Sequence, residues 1–136
     1  MKLITKNTDY AIRALMTISL DRKRFFSAKE IADIQDIPYH YLRRILQILA
    51  KNRLIESREG AGGGVKLIAS TSSIHVSDLI RMFQGDVELA ECLVKGKICS
   101  NHKTCVLRHE IKRIKRIIQE EFGKITIQTL LSKEKE

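Results

Sequence analysis

The sequence predicts a mainly α fold, in which a winged helix-turn-helix domain with a small β-hairpin wing is followed by a long C-terminal helix. Three observations predict it. Apolar residues recur at helical spacing through most of the chain. Two short helical segments meet at Asp36-Ile37-Pro38, a spacing typical of a helix-turn-helix. Four of the seven glycines fall between residues 60 and 64 and separate two strand-like stretches, as in a hairpin.

The composition indicates a basic chain of one domain. The 136 residues carry 25 Lys and Arg against 16 Asp and Glu, a formal net charge of +9, which favours a polyanionic partner. We expect no membrane span, because no apolar run approaches the roughly 18 residues that one requires. Asp9 and Arg13 interrupt the first apolar stretch, which is not typical of a signal peptide, and an odd cysteine count argues against disulfides. A cytoplasmic location is expected.

The first two helices are predicted from their caps and apolar periods. Residues 3–20 form the first, with Thr5 or Thr8 as its N-cap. The second begins at Ser27, which Glu30 follows three residues later in a capping-box pattern. Its apolar side is predicted to include Ala28, Ile31, Ala32 and Ile34.

The third helix, over about 38–52, is the predicted recognition helix. Leu42, Ile45, Leu46 and Leu49 form its buried side. A recognition helix presents side chains to base edges in the major groove, and arginine is the commonest reader of guanine. Residues 38–66 contain six Lys and Arg against two Glu, a net charge of +4. The predicted DNA contacts on this helix are Tyr39, His40, Tyr41, Arg43, Arg44 and Gln47.

The glycine-rich stretch 54–69 is predicted to be the wing. Glycines let a backbone approach phosphate or the minor groove closely. A nucleotide-binding loop is the competing interpretation, but neither GxxxxGK[ST] nor GxGxxG followed by a helix is present. The further predicted DNA contacts are Ser27, Arg58, Gly62, Gly63 and Lys66. A basic helix face alone is more often merely solvated; the wing beside it favours DNA binding.

Three segments organise the chain in this interpretation. Residues 1–83 form the DNA-binding domain, whose last helix covers about 73–83. Residues 84–104 form a cysteine-bearing loop. Residues 105–136 form a dimerisation helix, with a coiled-coil-like seam at Leu107, Ile111, Ile114 and Ile118 ending near Phe122, and a frayed tail. No nucleophile–base set or paired carboxylates appear, so we expect no enzyme.

Cys92, Cys99 and Cys105 are predicted to bind a metal centre. Soft thiolates favour zinc or an iron–sulfur cluster, and three cysteines in a polar loop are unusual for mere apolar filling. Lys95, Lys97, Lys103 and Arg108 would stabilise thiolates, and no acidic residue occurs from 92 to 109. The spacing leaves the fourth ligand open among Asp9, His102 and His109.

Four stretches together resemble the IscR/NsrR family of bacterial winged-helix transcription regulators. They are TDYAIRAL (8–15), SAKEIA with IPYHYLRRIL, REGAGGGVKL (58–67) and the C-x6-C-x5-C loop. The resemblance covers nearly the whole chain. It implies a homodimer that binds a palindromic operator, and an iron–sulfur cluster on the three cysteines that senses nitric oxide, oxygen, iron or cluster supply.

The resemblance also bears on the fourth ligand. The cluster-biogenesis regulators use a histidine three residues after the last cysteine, where this chain has Arg108, with His109 one residue later. The nitric-oxide sensors can use an aspartate near the start of the first helix, where Asp9 stands. The resemblance therefore implies Asp9 from the partner subunit, and a cluster of the 4Fe–4S type favoured over 2Fe–2S. Zinc, or a thiol-based switch, is the alternative. The family wing usually has Arg-Gly where this chain has Glu59-Gly60.

Overall fold

The computed structural model describes residues 2–90 and 103–134 and has six helices and one two-stranded sheet in these ranges. The helices are α1 (Lys6–Ile18), α2 (Ala28–Gln35), α3 (Tyr39–Lys51), α4 (Val76–Gln84), α5 (Val106–Lys124) and α6 (Ile127–Glu134). The strands are β1 (Ile55–Arg58) and β2 (Gly64–Leu67). The predicted mainly α winged helix-turn-helix fold is confirmed.

The first three helices enclose the main core. Thr5 is the N-cap of α1, because its side chain accepts the Thr8 backbone N–H, so the helix begins later than the predicted residue 3. The predicted buried side of α3 is confirmed, and its four members are at most 5% exposed. The placement of Ile34 on the apolar side of α2 is wrong, because its side chain is 55% exposed. With only eight residues, α2 buries just one narrow stripe.

The turn between α2 and α3 depends on one left-handed residue. Asp36 ends α2 with φ 52° and ψ 50°, a region that Asp and Asn tolerate better than most side chains. Ile37 then donates its backbone N–H to the Ala32 carbonyl and buries its side chain. Pro38 is the N-cap of α3, where its missing N–H costs no helical hydrogen bond. The turn therefore fixes where α2 ends and where α3 begins.

The wing is an antiparallel hairpin with a short third segment beside it. Ile55 pairs with Leu67 and Arg58 with Gly64. Phe26 also exchanges two backbone hydrogen bonds with Val65, each of 2.8 Å. The segment that precedes α2 is therefore attached to β2, which joins the wing to the helix-turn-helix.

The C-terminal helices differ from the prediction. The sequence predicts no helix after Phe122, yet α6 begins at Ile127, which is fully buried with α1 in the main core. The predicted frayed tail is thus helical as far as Glu134. The preceding α5 packs on α4 but contains no residue that is buried within one chain. Ile127, which lies within the segment predicted for dimerisation, therefore packs in the same core as the first three helices.

Candidate DNA-binding face and cysteine segment

The outer side of α3 carries all six of its predicted DNA contacts. Tyr39 is 45% and Tyr41 54% exposed, and the other four are exposed as well. The Arg43 guanidinium carbon lies 5.8 Å from the centre of the Tyr39 ring, within the range of a cation–π contact. Tyr39 and His40 meet edge to face, with ring centres 6.3 Å apart. The helix thus presents a polar, aromatic and cationic surface to solvent.

A groove separates α3 from the wing. Arg43, Gln47 and Lys51 line it from the helix, and Arg58 and Glu59 line it from the wing. Four of these five side chains can donate hydrogen bonds to phosphate or base edges. The Glu59 carboxylate is an acceptor only, so it repels phosphate and suits a base donor such as the cytosine amino group.

Two of the wing glycines are required by the fold of the wing itself. A Cβ at Gly63 would lie 2.3 Å from the Arg58 carbonyl oxygen, and one at Gly64 would lie 2.1 Å from the Phe26 carbonyl oxygen. Gly62 has φ +74° with open space around it. A side chain at Gly63 or Gly64 therefore cannot be accommodated without moving backbone, whereas at Gly62 the backbone conformation is the constraint. The glycine cluster has a structural role in addition to the predicted contact with DNA.

The start of α2 combines a cap with an ion pair. Ser27 Oγ accepts the Glu30 backbone N–H at 3.0 Å, as the capping-box pattern predicts. The Glu30 carboxylate also accepts hydrogen bonds from both Nη atoms of Arg24. That hydrogen bonding lowers the pKa of the Glu30 carboxyl below its ordinary value. Ser27 is exposed at the surface of the molecule.

Cys105 is the cysteine that the structure describes, and it caps α5. Its Sγ accepts the Arg108 backbone N–H at 3.4 Å, and the side chain is half-buried. The N-terminus of a helix favours an anionic group such as a thiolate. Cys92, Cys99 and His102 lie outside the described residues. Within 2–90 and 103–134, no three His, Cys, Asp or Glu side chains come together.

The two described candidates for a fourth ligand lie on different helices. Asp9 lies in the first turn of α1, and its Oδ2 accepts from Arg13 Nε at 3.0 Å. Its side chain is 45% exposed. His109 is exposed in the first turn of α5, four residues after Cys105. Both side chains are therefore accessible to a metal centre.

Gln84 connects the region of Asp9 to the start of the predicted cysteine-bearing loop (84–104, the cysteine segment), and no sequence pattern predicts this link. Its Oε1 accepts from the Thr5 backbone N–H at 3.0 Å and from the Thr8 hydroxyl at 2.7 Å. Its Nε2 donates to the Leu3 carbonyl at 3.0 Å. A lone glutamine gives no periodic signal, so only the long-range contact identifies it. The end of α4 is thus attached to the start of α1.

The α5 helix exposes a large apolar surface. Leu107 is 64%, Ile114 42% and Ile117 45% exposed, and Val106 is 79% exposed at the first helical position. A groove lined by Leu3, Ile117, Ile118, Phe122 and Leu130 continues this surface towards α6. Contiguous exposed apolar surface of this kind marks an interaction site. No helix within the described ranges has the length and apolar character needed to cross a membrane.

Comparison with known proteins gives the family context. Residues 4–133 match the model of the Rrf2 family, described as iron-dependent transcriptional regulators. The chain is 32% identical, over 98% of its length and 92% of the relative's, to the HTH-type transcriptional regulator NsrR of Oceanobacillus iheyensis.

Solved structures share the fold. The T. potens IscR structure aligns with a TM-score of 0.77 at 24% identity, covering 98% of this chain and 88% of the other. The structure of CymR, the global cysteine regulator of B. subtilis, aligns with a TM-score of 0.71 at 26% identity. That alignment covers 97% of this chain and 98% of the other.

Proposed function

Because the chain belongs to the Rrf2 family of transcriptional regulators, we propose that it is a repressor whose operator affinity depends on an iron–sulfur cluster sensing nitric oxide, redox or iron status. Its relatives are regulators of transcription, and the chain is one as well, not an enzyme. In the proposed function the chain forms a homodimer, binds a palindromic operator and holds a cluster for which 4Fe–4S is favoured over 2Fe–2S. The observation that carries it is the cysteine cap of α5 in a chain 32% identical to an NsrR regulator.

The exposed side of α3 and the wing form the proposed operator contact. Arg43 and Arg44 on α3 are assigned to base edges, because arginine pairs with guanine. Arg58 and Lys66 on the wing are assigned to phosphate. The proposed DNA contacts are Ser27, Tyr39, His40, Tyr41, Arg43, Arg44, Gln47, Arg58, Gly62, Gly63 and Lys66.

The apolar surface of α5 is the proposed dimer contact. Ile114 and Ile117 are nearly half exposed in the single chain, and pairing two copies of α5 would bury them. A two-fold dimer places two recognition helices on half-sites about 34 Å apart along the duplex, which a palindrome matches.

Cys92, Cys99, Cys105 and Asp9 are the residues that would hold the cluster. The donor set fits such a group, because Cys105 lies at the positive end of the α5 dipole and Lys103 lies two residues before it, so the surrounding positive charge would stabilise an anionic cluster. The Asp9 side chain is 45% exposed, so its carboxylate can leave Arg13 and bind the iron of a cluster instead. A bound cluster would supply iron that reacts with nitric oxide.

The chain itself offers a route from the cysteine segment to the DNA-binding face. Val87 packs with Val76 and Ile80 of α4, and Glu88 pairs with Lys115 of α5 at 3.0 Å. Gln84 attaches the same region to α1, which packs on α3. A change at the cysteines can therefore alter the spacing of two recognition helices, for which a coupling of about 1–3 kcal/mol suffices.

Anaerobic purification tests the proposal. A brown protein whose visible absorption is bleached by nitric oxide, with loss of affinity for operator DNA, is the expected result. Colourless protein with stoichiometric zinc would contradict it and support a structural zinc site.

A thiol-based switch is the second candidate, favoured by the likeness to CymR, a global cysteine regulator. Cys105 is half-buried at a helix N-terminus, an accessible place for thiol chemistry. In that case DNA binding would respond to peroxide and dithiothreitol in protein free of iron, and Cys105→Ser would abolish the response.

A further inference from the structure

Phe25 lies on the outer face of the wing. The hydrogen bonds between Phe26 and Val65 make residues 25 and 26 run beside β2 as an extended segment. Successive side chains of an extended segment point to opposite sides. Phe26 is buried in the core at 2% exposure, so the half-buried Phe25 ring lies on the other side.

Two cations of the wing lie against this ring. The strand register places Arg58 and Lys66 on the sheet face that points away from the core. The Arg58 guanidinium carbon is 4.4 Å from the centre of the Phe25 ring, and Lys66 Nζ is 5.6 Å from it. Both distances are within the range of about 6 Å for a cation–π contact.

The ring holds the cations without occupying their donors. A guanidinium stacked on a ring is fixed through its flat face, while its five N–H groups remain in its plane. Arg24 is the contrast: it lies 3.7 Å over Phe26, but its Nη atoms donate to Glu30. Arg58 and Lys66 form no salt bridge with any carboxylate in the described ranges.

We infer that Phe25 is a positioning residue that holds Arg58 and Lys66 ready as a pair of phosphate contacts on the outer wing. The inference rests on the proposed DNA binding. Side chains that are fixed before binding lose less conformational entropy in the complex, so the ring strengthens binding without touching DNA.

A ring-specific pair of variants tests it. Phe25→Leu keeps apolar bulk and removes the π face, whereas Phe25→Tyr keeps that face. On a short double-stranded DNA of mixed sequence, measured by fluorescence anisotropy, the leucine variant should bind about 2–5-fold more weakly. The slope of log affinity against log salt should also fall, by up to about 0.9 for each phosphate that the wing no longer neutralises. The tyrosine variant should retain both properties.

A second set of variants separates positioning from a general effect on folding. Arg58→Gln leaves the ring in place and should reduce the salt slope, and Phe25→Leu added to Arg58→Gln with Lys66→Gln should have no further effect. An unchanged slope in Arg58→Gln, or an undiminished effect of Phe25→Leu in the double-Gln background, overturns the inference. If Arg43→Ala weakens binding and Phe25→Leu does not, the positioning role is wrong and the proposed DNA binding stands. Failure of the unmodified protein to bind any duplex overturns both.

Discussion

The fully buried Thr8 hydroxyl donates a 2.7 Å hydrogen bond to Gln84 Oε1, across 76 positions of sequence. The same oxygen accepts the Thr5 backbone N–H, so one carboxamide secures the N-terminus of α1. Asp9 follows Thr8 directly, and Gly85 follows Gln84. A proposed cluster ligand and the start of the cysteine segment are therefore held at the same end of the molecule.

Gln84→Leu should destabilise the protein. The Thr8 hydroxyl, the Thr5 N–H and the Leu3 carbonyl would each be deprived of a partner, and a buried polar group left without one costs about 1–3 kcal/mol. Chemical denaturation monitored by circular dichroism measures the change in the free energy of unfolding. The same substitution at the exposed Gln119 should have an effect below about 0.5 kcal/mol, and equal effects would remove the special role of Gln84.

Arg43→Ala and Arg44→Ala should each weaken operator binding by about 1–3 kcal/mol, because each removes a guanidinium that pairs with a base or phosphate. Anisotropy titration at fixed salt measures the dissociation constant. Arg81→Ala removes an equally charged, 67% exposed side chain on α4 and should leave the affinity unchanged. Unchanged affinity in the α3 variants would exclude these arginines from the interface.

Asp9→Ala should alter the visible spectrum of the anaerobically purified protein, since a ligand of the proposed cluster is removed. His109→Ala should leave the spectrum as it is. The opposite pattern would assign the fourth ligand to His109 instead. Arg13→Ala is the control, because it removes the ion-pair partner of Asp9 and keeps the carboxylate.

Ile114→Glu should dissociate the proposed dimer. A carboxylate in an apolar contact loses its hydration without gaining a partner, which should raise the dimer dissociation constant at least about 100-fold. Sedimentation velocity measures the mass of the species present. Lys112→Glu places the same group at another exposed position of α5, and dissociation by both variants would argue against a specific apolar contact.

Acid should weaken the attachment of α2. The hydrogen bond from Arg24 lowers the folded-state pKa of Glu30, so its contribution is complete above the ordinary carboxyl pKa and is lost as the pH falls through the folded value. Thermal unfolding between neutral pH and about pH 3 measures this loss. Glu30→Gln should flatten the pH dependence over that acidic window, and an unaltered profile would count against the ion pair.

Most of the fold could be predicted from patterns among residues that are close in sequence. The turn at Asp36, the Ser27 cap and the buried side of α3 depend on neighbours within a few residues, so their patterns are legible in the sequence. The helix α6 and the exposed Ile34 were not predicted correctly, because each depends on distant packing. The eight residues of α6 become a helix against α1, which no local period indicates.

For this protein the sequence alone determined the order of the first five helices and the wing, the basic α3 surface and the cysteine set, because apolar spacing, caps, glycines and charge are local properties. Only the tertiary structure decided that Phe25 lies against Arg58, that Gln84 holds α1, and that the apolar stripe of α5 is left exposed within one chain. The contacts of Phe25 and Gln84 join residues far apart in sequence, and they contribute to stability only when folding brings those residues together. The exposure of the α5 stripe likewise depends on which distant segments pack against it.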